Sequence, residues 1–198
     1  MSTRPEHIRC LPGFLFLLAL ALFLCDDLSL LAAAFASAAV HELGHIAAAA
    51  AFGGRAERLT LSLAGAELRF FYPRPLTYGR ECLVALAGPC ANLLAGAPVL
   101  WSKSYLPAAV CFGLGAFNLL PVLPLDGGMI LFDLLAPRIG PDKSEWVLAV
   151  CAGVLAGALL GLGAAALACY ANATLLLVSL WLLGTALRRG AASDFQIK

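Results

Sequence analysis

The chain has 198 residues, 62% of them hydrophobic and 13% charged, with a mean hydropathy of +0.90. A soluble globular domain carries about 25% charged residues, so the composition excludes an ordinary soluble fold and points to a membrane protein. A net charge of +1 gives no sign of a nucleic-acid partner.

The first apolar stretch, Leu11 to Cys25, is short for a span, which needs about 20 residues. Arg4 and Arg9 ahead of it also fit a signal peptide. Cleavage in the Ala-rich sequence that follows would cut into the next helix, and Asp26-Asp27 fit a short outer loop, so a first span is the reading kept. His7 in this N-terminal tail reads as a solvated bystander.

Leu28 to Phe52 is the second span, interrupted only by His41-Glu42-Leu43-Gly44-His45. Imidazoles four residues apart lie on one helix face, one turn from each other, and can grip one metal ion. Glu42, beside the first of them, can reach water on that ion. Two histidines and a glutamate are costly to bury in an apolar span without a partner, which makes metal binding the expected role. His41 stands 12 residues before Gly53, so roughly 18 Å of helix separates it from the inner end of the span. Water must therefore reach it through a polar cavity.

Between spans, Leu59-Thr60-Leu61-Ser62-Leu63 and Glu67-Leu68-Arg69-Phe70 alternate apolar and polar around Ala64-Gly65-Ala66. This predicts a β-hairpin over 59–72, ended by Pro73 and Pro75, with an irregular surface loop as the alternative. Cys82–Trp101 and Tyr105–Leu125 are charge-free and give the third and fourth spans. The residues 126–145 read as an inner segment. Trp146 to Leu187 then runs without a charge and divides into two spans near Tyr170-Ala171-Asn172.

Six spans place 12 of the 13 basic residues on one side, with Lys103 alone on the other. Basic residues favour the cytoplasmic side, so both termini and the 53–81 segment are expected there. The seven cysteines fall mostly within apolar runs without paired spacing and read as small buried hydrophobes, not disulfides or ligands.

A catalytic zinc commonly has three protein ligands and an open position. With His7 set aside, the third is expected to be a carboxylate, or a cysteine as the lesser choice. Asp126 follows Asn118-Leu119-Leu120-Pro121-Val122-Leu123-Pro124-Leu125 and precedes Gly127-Gly128, a stretch that breaks a helix. Broken backbone at membrane depth is tolerated where it lines a cavity or is buried in protein. Asp126 could instead cap a helix starting at Gly127. Asp133, Glu67, Glu81 and Glu145 read as charges near the inner surface, with Glu81 or Glu145 the alternative third ligand in a different membrane zincin.

Three blocks resemble the site-2 protease family of intramembrane zinc metalloproteases: His41-Glu42-Leu43-Gly44-His45, then Gly88-Pro89-Cys90-Ala91-Asn92, then Asn118 through Gly128. The layout, with no inserted PDZ domain, is most similar to the stage IV sporulation protein FB subgroup, although that subgroup's C-terminal CBS domain has no counterpart up to Lys198. The resemblance implies that His41, His45 and Asp126 bind Zn2+ and that Glu42 is the base. It implies that Asn92, and Asn118 with it, holds substrate or the oxyanion. Helix–helix hydrogen bonding is the plainer role for Asn92.

The expected fold is thus an all-α polytopic membrane protein of about six transmembrane helices with a small membrane-associated β-hairpin. It would be one intramembrane protease domain over 1–198, with a core at 28–130 and extra helices at 11–25, 146–168 and 170–187. It would sit in the cell membrane with both termini cytoplasmic. The expected activity is zinc-dependent endopeptidase cleavage in or near a membrane-associated segment of a protein substrate, such as a sigma-factor precursor or an anti-sigma factor. An inhibitory or regulatory membrane partner belongs to the same picture. A non-proteolytic membrane metal-binding protein or transporter is the alternative; it would string ligands across several spans, whereas here the polar residues cluster on one side.

Overall fold

A computed structural model describes residues 8–12, 15, 19, 22–23, 27–62, 65–170, 176–177, 179–180 and 184. It separates into two compact units, 1–116 and 117–198. The expected spans 11–25 and 170–187 lie largely outside the described residues, as does His7.

The first unit begins with strand β1 (Ile8–Cys10) and helix α1 (Leu28–Ala51). Asp27 caps α1: its Oδ1 accepts from the Ser29 backbone N–H at 2.8 Å and from the Ser29 hydroxyl at 2.6 Å. These bonds favour the carboxylate and hold Asp27 below its ordinary pKa. The helix then buries Ser37, His41, His45 and Ala49, one residue every four, as a single stripe. Its apolar residues elsewhere, such as Phe35 and Leu43, are exposed, the inverse of a soluble helix.

Strands β2 (Arg55–Ser62) and β3 (Gly65–Phe71) follow as an antiparallel pair. The hairpin expected over 59–72 is present, and its ladder begins four residues earlier, at Arg55 paired with Phe71. A register shift between Ala56 and Arg58 marks an irregularity there. β1 adds to β2 in parallel, Ile8 opposite Leu59, giving the order β1-β2-β3. Tyr72 lies against Gly54, where an added Cβ would come within 2.3 Å of its ring and 2.9 Å of the Ala49 carbonyl. This pins the hairpin's exit to the end of α1. Burial there, with the charge of Glu81 adding, raises the Tyr72 pKa.

Helix α2 (Tyr78–Trp101) packs along α1, and α3 (Tyr105–Asn118) packs against α2. The α1–α2 approach is close because Gly44 has no side chain. A Cβ at Gly44 would lie 2.5 Å from the Ala87 carbonyl oxygen and 2.8 Å from Ala91 Cβ. On the α3 side, Gly96 meets Phe112, and Gly115 lies against Asn92 and the Pro89 carbonyl. Small residues at such crossings are what a membrane helix interface requires.

The fourth expected span, Tyr105–Leu125, runs from the first unit into the second and is not one helix. It stops at Asn118, turns through 119–125 with a cis Leu123–Pro124 bond, and restarts as α4 (Asp126–Ile139). Pro121 and Pro124 have no N–H to continue the helix, and the turn is closed by Val122 N–H to Leu120 and Leu125 N–H to Val122. Residues 126–139, read from sequence as an inner segment, are helical. Gly140, at φ +88°, ends α4, and Pro141 opens α5 (Pro141–Tyr170). Val122, Leu125 and Ala152 form the core of this unit with Phe117, Leu120, Leu155 and Leu159.

Among the described residues, α1, α2 and α5 are long and apolar enough to cross a membrane; α3 is shorter. The six described cysteines are free, but only Cys111 is buried; Cys10 and Cys169 are exposed.

The close α1–α2 crossing has a direct test. Gly44→Leu should lower the thermal midpoint in detergent, since overpacking typically costs about 1–3 kcal/mol. Gly44→Ala should produce a smaller fall, and an unchanged midpoint for Gly44→Leu would contradict the crossing.

Candidate metal centre

His41 and His45 are 6% and 9% exposed, although both lie in a helix whose other residues largely face outward. Their rings meet edge to face with centroids 4.7 Å apart. Their Nε2 atoms converge to 3.1 Å. Two nitrogens bonded to one tetrahedral zinc at 2.0–2.1 Å stand about 3.3 Å apart, so the pair is spaced for a shared ion.

Each ring is set by its other nitrogen. His45 Nδ1 lies 2.8 Å from the Val84 carbonyl oxygen on α2. A carbonyl can only accept, so Nδ1 carries the hydrogen and Nε2 keeps its lone pair. His41 Nδ1 lies 3.3 Å from Asn92 Nδ2, also on α2. Ring orientation by a carbonyl or amide is the usual arrangement behind a metal-bound histidine.

Gly88 supplies the space in front of the rings. A Cβ there would fall 2.3 Å from His45 Nε2 and 2.8 Å from His41 Cε1. The residue needed at position 88 is therefore one without a side chain, for a reason of steric access, not backbone conformation.

Glu42 is half-buried on α1, about 100° round the helix from His41. Asn92 is fully buried. His41, His45 and Asn92 thus come together within the first unit. Asn118 ends α3 and is half-buried.

In the second unit Asp126 is the first residue of α4, and the cap position belongs to Leu125. The alternative reading of Asp126 as the cap of a helix at Gly127 is thereby corrected. Gly127 and Gly128 let the helix start lie on the preceding turn: a Cβ at Gly127 would meet the Leu119 carbonyl oxygen at 2.2 Å, and one at Gly128 would meet Leu123 N at 2.6 Å. Asp126 is half-buried. Asp133, read as a surface charge, is buried at 4% exposure, because α4 turns it inward on the face that also buries Ala136. Glu81, on the first turn of α2, and Glu145, near the start of α5, are exposed.

Sequence reasoning missed the Val84 carbonyl. A backbone acceptor leaves no trace in residue identity. It also missed Ser37, buried one turn before His41, whose hydroxyl has no hydrogen-bond partner among the described residues.

An imidazole pair set for a divalent cation, carried by an apolar helix and backed by a second one, defines a membrane metalloprotein of the His-Glu-x-x-His type. Residues 14–125 match the family described as Peptidase M50B-like, and the chain belongs to that family. A zinc metalloprotease of Methanocaldococcus jannaschii is 30% identical over 160 residues, covering 74% of this chain and 45% of that protein. Stage IV sporulation protein FB of Bacillus subtilis is 33% identical over 117 residues, covering 54% of this chain and 40% of that protein. The chain thus spans less than half the length of these curated relatives. The solved site-2 protease from Methanocaldococcus jannaschii superposes with a TM-score of 0.69 at 25% identity, covering 94% of this chain and 93% of that one. The fold is that of a site-2 protease: a membrane protein, mostly helical, with a small three-stranded sheet. Zinc is the metal of this family's relatives, and the imidazole donors fit it.

The space in front of the rings predicts a sharp effect of one methyl group. Gly88→Ala should weaken zinc binding by about tenfold or more, as disturbance of ligand surroundings commonly does, with helicity retained. Chelator competition on the purified chain, with circular dichroism alongside, checks this; unaltered zinc affinity would place the ion elsewhere.

Proposed function

We propose that this chain is an intramembrane zinc endopeptidase, its two units acting together as one protease domain. The observation that carries the reading is the convergence of His41 and His45 Nε2 atoms at 3.1 Å within an apolar helix. Asp126 completes the ligand set. Its place at the start of α4, after a broken stretch and ahead of two glycines, supports that role, and so does the exposure of Glu81 and Glu145.

Zinc held by these residues supplies positive charge that acidifies water toward a pKa of about 7 and polarises a carbonyl. Glu42 accepts the proton of the attacking water and returns it to the leaving amine. Asn118, at the end of α3, is a candidate for substrate contact.

The substrate is a membrane-associated protein segment, such as a sigma-factor precursor or an anti-sigma factor. A helical segment hides its carbonyls in its own hydrogen bonds and must extend before hydrolysis. In the order β1-β2-β3 the outer edge of β3 is the place for an extended strand to add. We place this sheet and both termini on the cytoplasmic side. The pairing of β1 with β2 supports a common side for 8–10 and 55–71, and the bias of basic residues supports its being the inner one.

Glu42→Gln should retain zinc and lose cleavage by about 10²–10⁴-fold, the usual contribution of a general base. Asp126→Ala should lose zinc. Metal analysis with a cleavage assay separates the two, and near-wild-type turnover by zinc-loaded Glu42→Gln would refute the mechanism.

Strand addition makes a separate prediction. Leu68→Pro removes a backbone donor from β3, so it should keep zinc yet cleave poorly. Substrates with helix breakers near the scissile bond should be cut faster than uninterrupted helices. Equal rates across both comparisons would leave β3 without a part in substrate presentation.

A further inference from the structure

Asn92 is 0% exposed, and among the described residues its Oδ1 has no hydrogen-bond partner although its Nδ2 lies 3.3 Å from His41 Nδ1. A buried amide oxygen without a donor is costly. The residue cannot withdraw, because Gly115 of α3 closes on its stem: a Cβ there would stand 3.3 Å from Asn92 Cβ. What remains free is a half-turn of the amide, which exchanges Oδ1 and Nδ2 without changing shape.

The two orientations make opposite demands on His41. With Nδ2 toward the ring, Nδ1 must accept, so the neutral ring carries its hydrogen on Nε2. That hydrogen then faces His45 Nε2 at 3.1 Å, and the pair is a hydrogen bond that cannot grip a cation. With Oδ1 toward the ring, Nδ1–H donates, Nε2 keeps its lone pair, and Oδ1 gains the donor it lacks. His45 needs no such device, since the Val84 carbonyl already fixes its tautomer.

We infer that Asn92 is a positioning residue whose Oδ1 accepts from His41 Nδ1–H and thereby holds His41 in the tautomer that binds zinc. This rests on the zinc reading above and gives Asn92 a role other than holding substrate or the oxyanion. A substrate or oxyanion role needs its N–H to donate; the positioning role needs only an acceptor. Aspartate, which accepts at both oxygens and donates at neither, separates them, and a carboxylate behind a zinc-bound histidine is a common arrangement.

The test is the zinc dissociation constant of the purified full chain, by chelator competition, for wild type, Asn92→Ala and Asn92→Asp. Asn92→Ala should bind zinc about 10–100-fold more weakly; Asn92→Asp should stay close to wild type. Wild-type affinity in Asn92→Ala, or Asn92→Asp as weak as Asn92→Ala, would overturn the inference. Should Asn92→Ala fail to fold by circular dichroism, Asn92→Leu, which removes the acceptor at similar size, takes its place: weaker zinc binding in Asn92→Leu with zinc retained in Asn92→Asp supports the role, and wild-type affinity in Asn92→Leu or zinc lost in Asn92→Asp removes it. Absence of zinc binding by the wild type would instead overturn the metal reading itself. Unchanged zinc affinity in both variants with cleavage lost in Asn92→Asp would return Asn92 to substrate.

Discussion

The near-contact of α1 and α2 governs the rest of the first unit. Helices in lipid gain little from apolar burial against each other, so association depends on close packing and interhelical hydrogen bonds. Here both are drawn from the same residues as the metal centre. Gly44 lets the backbones approach, Gly88 leaves room for the rings, and the links from His45 to Val84 and from His41 to Asn92 cross the resulting interface. The contacts that orient the imidazoles are thus also contacts that join the helices. Site geometry and helix packing cannot be varied independently.

The second unit solves a different problem by a related means. Its proposed ligand, Asp126, stands at a helix start whose cap residue, Leu125, gives no side-chain hydrogen bond. What sets that start is the preceding turn, closed by its own backbone hydrogen bonds and anchored by Val122 and Leu125 in the core with Ala152. Gly127 and Gly128 are the residues that permit the turn to lie on the first turn of α4. In both units glycine acts by leaving room for a neighbour's backbone or ring, which is why substitution is expected to disturb position before it disturbs secondary structure.

Much of this was legible in the sequence. The imidazole spacing, the charge-free stretches and the 59–72 alternation each carry a period that local structure must follow. The parts that were not legible share a cause. β1 is three residues long, and its pairing with β2 depends on a partner far away in sequence. The 126–139 helix follows two prolines and has two glycines directly after its first residue, residues whose propensities argue against helix until tertiary packing overrides them. Val84 acts through a carbonyl that any residue would supply. Asp133 reads as a charge near the inner surface, whereas the rotation of α4 buries it.

Charge explains why the proposed ligand set pairs histidines with a carboxylate. An ion held among apolar helices is stable only when the surrounding groups offset its charge, because water is scarce there and net charge is expensive. Two neutral imidazoles contribute none. A dication with Asp126 and Glu42 both ionised sums to zero. A third histidine in place of Asp126 would leave one positive charge uncompensated. Neutral imidazoles matter as much as the carboxylates in this balance, since a protonated ring could not coordinate and would add charge of the wrong sign. The Val84 carbonyl, which keeps His45 Nδ1 protonated and Nε2 bare, and the Asn92 amide in the same role proposed for His41, therefore serve binding and burial together.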